Sequence, residues 1–87
     1  VIVLRPDVNV TETGDAMVLL DRSSGKYWQL NATGALVLRT LLEGATSEKA
    51  VHDLAERYPA AAHRAADDVD LLIGRLRTAG LIGEERV

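Results

Sequence analysis

At Asn31 the hydrophobic pattern changes period from about two residues to about 3.6, and this switch restricts the possible architectures more than any other feature of the chain. Before it, Val8 and Val10 alternate with Asn9 and Thr11, and Thr13-Gly14-Asp15 supplies a turn ahead of the apolar run from Ala16 to Leu20. A second polar turn, Arg22-Ser23-Ser24-Gly25-Lys26, leads into the short segment Tyr27-Trp28-Gln29-Leu30. The pattern predicts a three-stranded antiparallel meander. Met17 to Leu20 is apolar on both faces and is expected to be the central strand, which leaves the first and third strands as edges with unpaired backbone groups.

After the switch, three helices are expected. Asn31 is placed to cap the first and Gly44 to stop it; Leu36, Val37, Thr40 and Leu41 make one stripe and Leu38 and Leu42 another, so this helix is expected near the middle. Thr46 is placed to cap the second, with Glu48 at its positive end, Val51, Leu54, Ala55 and Tyr58 at helical spacing, and Pro59 ending it. The third is read from about Ala61 to Ala79, on a stripe of Ala65, Val69, Leu72, Ile73 and Leu76, with Gly80 as its stop. Leu81 and Ile82 are expected to fold back onto the core, while Val1 to Asp7 and Gly83 to Val87 are read as free to fray. Strands followed by helices with short connections predict an α+β fold with the helices on one face of a small sheet.

With 87 residues the chain is read as a single domain, 1–87. It has no cysteine, which removes disulfides and thiolate chemistry together, and Tyr27, Trp28 and Tyr58 are its only aromatic residues. A formal charge of −3, with the ten basic residues scattered, opposes the counterion release that drives nucleic-acid binding. No apolar run is long enough for a membrane span and the first residues do not resemble a signal peptide, so no membrane partner and a cytoplasmic location are expected.

Catalytic and metal chemistry find little support. His52 and His63 fall on different predicted elements without a third ligand at a helical offset, so no metal is expected. Asp67, Asp68 and Asp70 crowd one segment without a companion base or nucleophile and read as a solvated helix face; the one specific use they suggest is accepting a hydrogen bond from a ligand. Ser23 and Ser24 lie in a turn with no histidine nearby in sequence, and no phosphate-binding glycine loop is present. The chain is therefore read as non-enzymatic and without a cofactor. What remains is surface. In the third strand Trp28 and Leu30 point to one face and Tyr27 and Gln29 to the other, so that Trp28 and Leu30 are expected in the core and Tyr27 on a wetter surface, where it can also wall a pocket. Leu71 lies off the third helix's main stripe, on the side of Arg64, Asp68 and Arg75.

The order Leu20-Asp21, a glycine turn, Tyr27-Trp28-Gln29-Leu30-Asn31-Ala32-Thr33-Gly34, then Leu41-Leu42-Glu43-Gly44 resembles the PqqD-like family of peptide-recognition domains, the RiPP recognition elements. Leu54-Ala55-Glu56-Arg57-Tyr58, Asp68-Val69 and Leu76 through Gly80-Leu81 continue the match, which covers Arg5 to Ile82. In length and as a free-standing chain it looks most like the discrete recognition proteins of lasso peptide biosynthesis, a class of antibiotic biosynthesis. The resemblance implies a winged helix-turn-helix core to which a precursor's leader peptide adds, antiparallel to the third strand and in a groove against the third helix. Carried onto this sequence, the backbone of Lys26, Tyr27, Trp28, Gln29 and Leu30 would pair with the leader, and Tyr27, Asp68, Leu71, Leu72 and Arg75 would line the groove. Trp28 is a departure, standing where a smaller aromatic or aliphatic residue would serve. The implied partners are the leader, the leader peptidase and a cyclase.

Two other readings compete. A winged-helix DNA-binding protein shares the expected architecture, and fold does not fix function; the acidic balance and the three aspartates oppose it. An enzyme-docking subunit would use Leu71 or Leu42 in its contact.

Overall fold

The structure, a computed structural model, describes residues 1–84. In chain order the elements are β1 (Ile2–Leu4), β2 (Val8–Thr13), β3 (Ala16–Asp21), β4 (Tyr27–Leu30), α1 (Ala32–Leu42), α2 (Ser47–Arg57), a 3₁₀ segment (Pro59–Arg64), α3 (Ala65–Thr78) and β5 (Ile82–Glu84). Strands β2, β3 and β4 form the expected antiparallel meander, with β3 in the centre and β4 at an edge. The α+β winged-helix arrangement of a three-stranded antiparallel sheet followed by three helices is thus the one observed.

Alternation along each strand decides which face is covered. Val8, Met17, Leu19 and Leu30 are buried, whereas Asn9, Thr11, Leu20, Tyr27 and Gln29 face outward. The register carries this across the sheet, stacking Asn9, Leu20 and Tyr27 in one outward row and Val10, Leu19 and Trp28 in the neighbouring inward row. The turn between β3 and β4 is organised by Asp21, whose carboxylate accepts from the Ser23 hydroxyl at 2.7 Å, the Ser23 N–H at 3.0 Å and the Ser24 hydroxyl at 3.0 Å.

The helices start and stop where the caps predicted. Asn31 accepts from the Gly34 N–H at 3.0 Å and Thr46 from the Lys49 N–H at 3.1 Å. At the end of α3, Gly80 at φ 75° donates to the Arg77 carbonyl and Leu81 to the Leu76 carbonyl, the two bonds of a Schellman stop. Helix α1 is central as expected, burying Ala35, Val37, Leu38 and Leu41 and packing on α2, α3, β1, β3 and β4.

Two expectations are corrected. The third helix does not begin at Ala61: residues 59–64 form 3₁₀ turns, and α-helix begins at Ala65. Pro59 has no N–H to donate, the Ala61 N–H bonds back to the Tyr58 carbonyl at 2.9 Å, and no residue of this segment is fully buried, so little core packing opposes the tighter 3₁₀ winding. Nor do the described ends fray. Strand β1 pairs antiparallel with β5 in a second, two-stranded sheet, with Ile2 opposite Glu84, Val3 opposite Gly83 and Leu4 opposite Ile82. The Arg5 N–H extends this pairing to the Leu81 carbonyl at 3.0 Å, and Arg77 meets Glu84 at 2.5 Å. Leu81 and Ile82 fold into the core as expected, and they draw the pairing in: both are buried, and Ile2 and Leu4 pack against the same cluster. Glu85 to Val87, also expected to fray, lie outside the described residues.

Candidate functional site

The free side of β4 is defined by one hydrogen bond. The Asp21 N–H donates to the Lys26 carbonyl at 2.9 Å, and this pair continues the register that sets Leu19 opposite Trp28 and Met17 opposite Leu30. Because hydrogen-bonded and non-bonded pairs alternate in an antiparallel ladder, the backbones of Lys26, Trp28 and Leu30 face β3, and those of Tyr27 and Gln29 face away from it. No strand among the described residues pairs with that side. The Lys26 N–H is also occupied, by the Ser24 hydroxyl at 3.2 Å. Of the five residues assigned backbone roles from the sequence, Tyr27 and Gln29 therefore hold the outward N–H and C=O groups.

Two adjoining hollows lie beside this edge. One, of about 290 Å³, is walled by the start of α1 (Asn31, Thr33, Gly34, Val37), by Leu54 of α2, by Ala61, and by Arg64, Asp68, Leu71, Leu72 and Arg75 along one face of α3 and the turn before it. The other, of about 630 Å³, runs along Thr13, Ala16, Met17, Val18, Gln29 and Leu30 and shares Asn31, Gly34, Leu72 and Arg75 with the first. Together they make a groove between β4, α1 and α3. Its floor is apolar and its α3 rim is charged.

The groove brings together Gln29, Leu30, Asp68, Leu71, Leu72 and Arg75 of the residues singled out in the sequence. It does not take in Lys26, Tyr27 or Trp28: Trp28 is half-buried against the core, and Tyr27 is 65% exposed on the outer face of the sheet. Leu71 is 53% exposed, as its off-stripe position predicts. The reading of the sequence missed Arg64 as a wall residue and took Asn31 only as a cap; Thr33 and Gly34, one helical turn further on, were the available signal, since they share the open end of α1 with it.

Among the described residues some basic side chains are paired and others are not. Arg22, Arg39, Lys49 and Arg77 each have a carboxylate partner. Among the described residues Arg64 and Arg75, like Arg5, Lys26 and Arg57 outside the groove, have none within 4.0 Å, although Asp68 lies one turn from Arg64. Hydrogen bonds from the Ser23 hydroxyl and then the Ser23 N–H hold the Asp21 carboxyl below its ordinary 3.8. A hydrogen bond from Lys49 to Asp53 raises the Lys49 ammonium above its ordinary 10.5. Ser23 and Ser24 are thereby accounted for as turn residues. The exposed His52 imidazole meets the Glu56 carboxylate one turn along α2. Among the described residues no three His, Cys, Asp or Glu side chains gather to hold a metal, and no helix is long and apolar enough to cross a membrane.

Residues 16–82 match the family model of coenzyme PQQ synthesis protein D, PqqD. The chain belongs to the PqqD family. The resemblance drawn from the sequence, to PqqD-like recognition elements and in particular to those of lasso peptide pathways, is borne out. A solved structure of lasso peptide synthetase B1 complexed with the leader peptide is 36% identical to this PqqD-family chain, covers 95% of it and 98% of its own length, and superposes with a TM-score of 0.86. A structure of TbiB1 in complex with the TbiA(beta) leader peptide is 22% identical, covers 98% and 99% of the two chains, and has a TM-score of 0.84; it shows the shared fold. No curated protein matches the chain.

Proposed function

We propose that this chain binds the leader segment of a ribosomally synthesised, lasso-type precursor peptide, taking it as an added strand on β4 and in the groove against α3. In this reading the chain is not an enzyme: it presents the leader to a processing protease and a cyclase. The observation that carries the reading is the conjunction of an unpaired β4 edge with an apolar groove immediately beside it. Support also comes from the lasso peptide synthetase B1 structure, a relative at 36% identity that is itself bound to a leader peptide.

Magnitudes explain why edge and groove are both needed. Ordering one leader residue costs about 1–2 kcal/mol of backbone entropy, and one net hydrogen bond returns about 0.5–1.5 kcal/mol. The outward groups of Tyr27 and Gln29 alone barely break even. Each apolar leader side chain seated over Leu72 or Leu71 adds about 1.5–3 kcal/mol, so two or three anchors bring binding into a useful range. Backbone pairing sets register, and the groove selects sequence. Duplex DNA is a poorer occupant, because Asp67, Asp68 and Asp70 lie on α3 and the chain carries a net charge of −3.

The test is amide exchange measured by NMR with and without a synthetic leader. Binding by strand addition slows exchange at Tyr27 and Gln29, whose N–H groups face outward, and changes Trp28 and Leu30 little. Saturable binding without added protection at Tyr27 and Gln29 would reject strand addition, and no binding would reject leader recognition altogether.

A further inference from the structure

We infer that the peptide occupying the groove carries an acidic side chain two residues from an apolar anchor, so that both point at α3, and that Arg75 reads the acid. This deepens the leader-binding reading above and rests on it. Three observations support it.

Arg75 borders both hollows and is thus at the centre of the groove, yet among the described residues its guanidinium has no carboxylate within 4.0 Å. Arg5, Arg57 and Arg64 also lack an acid among those residues, but only Arg75 borders both hollows, and on a chain of net charge −3 an arginine so placed beside an apolar floor favours an acid brought by the ligand. The neighbouring Asp68 does not cancel it. Seven residues along a helix separate the two by about 10 Å of rise, comparable to the Debye length at physiological salt.

The parity of β4 converts this into a spacing. A strand added antiparallel to β4 bonds to Tyr27 and Gln29, and the residues that do so direct their side chains to the outer face, as Tyr27 and Gln29 do. The residues between them point toward the helices. Inward positions therefore recur every second residue, about 7 Å apart. Leu72 and Arg75 are three residues apart on α3, about 4.5 Å of rise, and the arginine's reach closes the difference. An apolar side chain over Leu72 thus places the next inward side chain at Arg75. Charge at the outward positions should not matter.

The experiment uses the full chain and, as probe, a fluorescein-labelled synthetic leader segment of a lasso-type precursor peptide, together with the same segment in which every Asp and Glu is changed to Asn and Gln. Fluorescence anisotropy is measured for the wild type, Arg75→Gln and the control Arg57→Gln, an exposed arginine outside the groove. The expected result is that the amide probe and Arg75→Gln each weaken binding about tenfold, that the two together weaken it no further, and that Arg57→Gln changes nothing. Restoring acids singly should recover affinity only at a position two residues from an apolar one. Tight binding of the acidic probe, unchanged within about twofold by Arg75→Gln, would overturn the inference and leave leader binding intact. Absence of binding by either probe would overturn both.

Discussion

The bond from the Asp21 N–H to the Lys26 carbonyl makes Gln29 an outward-facing residue and Trp28 an inward-facing one, although the two are adjacent. Proline distinguishes them. Gln29→Pro removes an N–H that bonds to nothing in β3, and proline is tolerated at such an edge position, so stability should fall by less than about 1 kcal/mol while leader binding is lost. Trp28→Pro breaks a ladder bond and removes a half-buried indole, and should cost at least about 3 kcal/mol. Urea denaturation and leader titration of both variants check this. Equal destabilisation by the two would mean that the strand parity is wrong.

Leu71 and Leu38 separate binding from folding in the same way. Leu38 is fully buried in α1, and Leu38→Ala should destabilise by about 2–5 kcal/mol. Leu71 is more than half exposed, so Leu71→Ala should move stability by no more than about 0.5 kcal/mol yet weaken leader binding about five- to tenfold. Chemical denaturation and anisotropy measured side by side give both numbers.

What the sequence disclosed and what it withheld divide by range. The caps at Asn31 and Thr46 and the stop at Gly80 act within a few residues, and each forms where its side chain or its lack of one predicts. The meander was readable because the alternation at Val8 and Val10 and the apolar run Met17 to Leu20 mark the central strand, although Leu20 on its outer face is exposed. Pairing of Ile2 to Leu4 with Ile82 to Glu84 was not, since three-residue strands at opposite ends of a chain carry too little pattern to announce one another. The 3₁₀ segment misled because its alanines favour α-helix, and that none of them is anchored in the core is visible only in the folded chain. In the groove, the edge followed from strand order and Leu71 from its offset. Arg64 shares a side with Leu71 by its helical offset, but that this side walls the hollow beside α1 is visible only in the folded chain.

The terminal sheet should contribute stability without touching the groove. Deleting residues 1–4 removes the partners of Ile82 to Glu84 and exposes apolar surface now covered by Ile2 and Leu4, a loss of roughly 2–3 kcal/mol. No residue of β1 or β5 borders either hollow, so the affinity of the folded fraction for the leader should be unchanged. A shift in urea midpoint with a constant leader Kd, measured well below the midpoint, is the expected outcome.

Asp21 gives an acid-side dependence with a definite sign. Its folded pKa is depressed by the Ser23 and Ser24 hydrogen bonds, so its contribution is fully present above the unfolded value of about 3.8 and is lost as pH falls through the lowered folded value. Asp21→Asn lacks this titration. The wild type should therefore exceed Asp21→Asn in Tm above about pH 4, with the gap closing below it. A gap constant from pH 2 to 7 would show that the carboxylate's charge is not what organises the turn.

Asn31 joins folding to recognition at a single side chain. It caps α1 by accepting from the Gly34 N–H, and it borders both hollows together with Arg75. Asn31→Ala should cost about 1 kcal/mol of stability through the lost cap. Asn31→Asp keeps the acceptor and adds a charge that the helix's positive end favours, so its stability should match or exceed the wild type by about 0.3–1 kcal/mol. That same charge, however, enters a groove argued to receive an acid. Asn31→Asp should accordingly be at least as stable as the wild type and bind the acidic leader several-fold more weakly, with the deficit shrinking as salt rises and vanishing for the amide form of the leader. Affinity for the amide form thus separates charge from shape: if Asn31→Asp weakens both forms equally, the side chain acts on the groove by its contacts and not by its field.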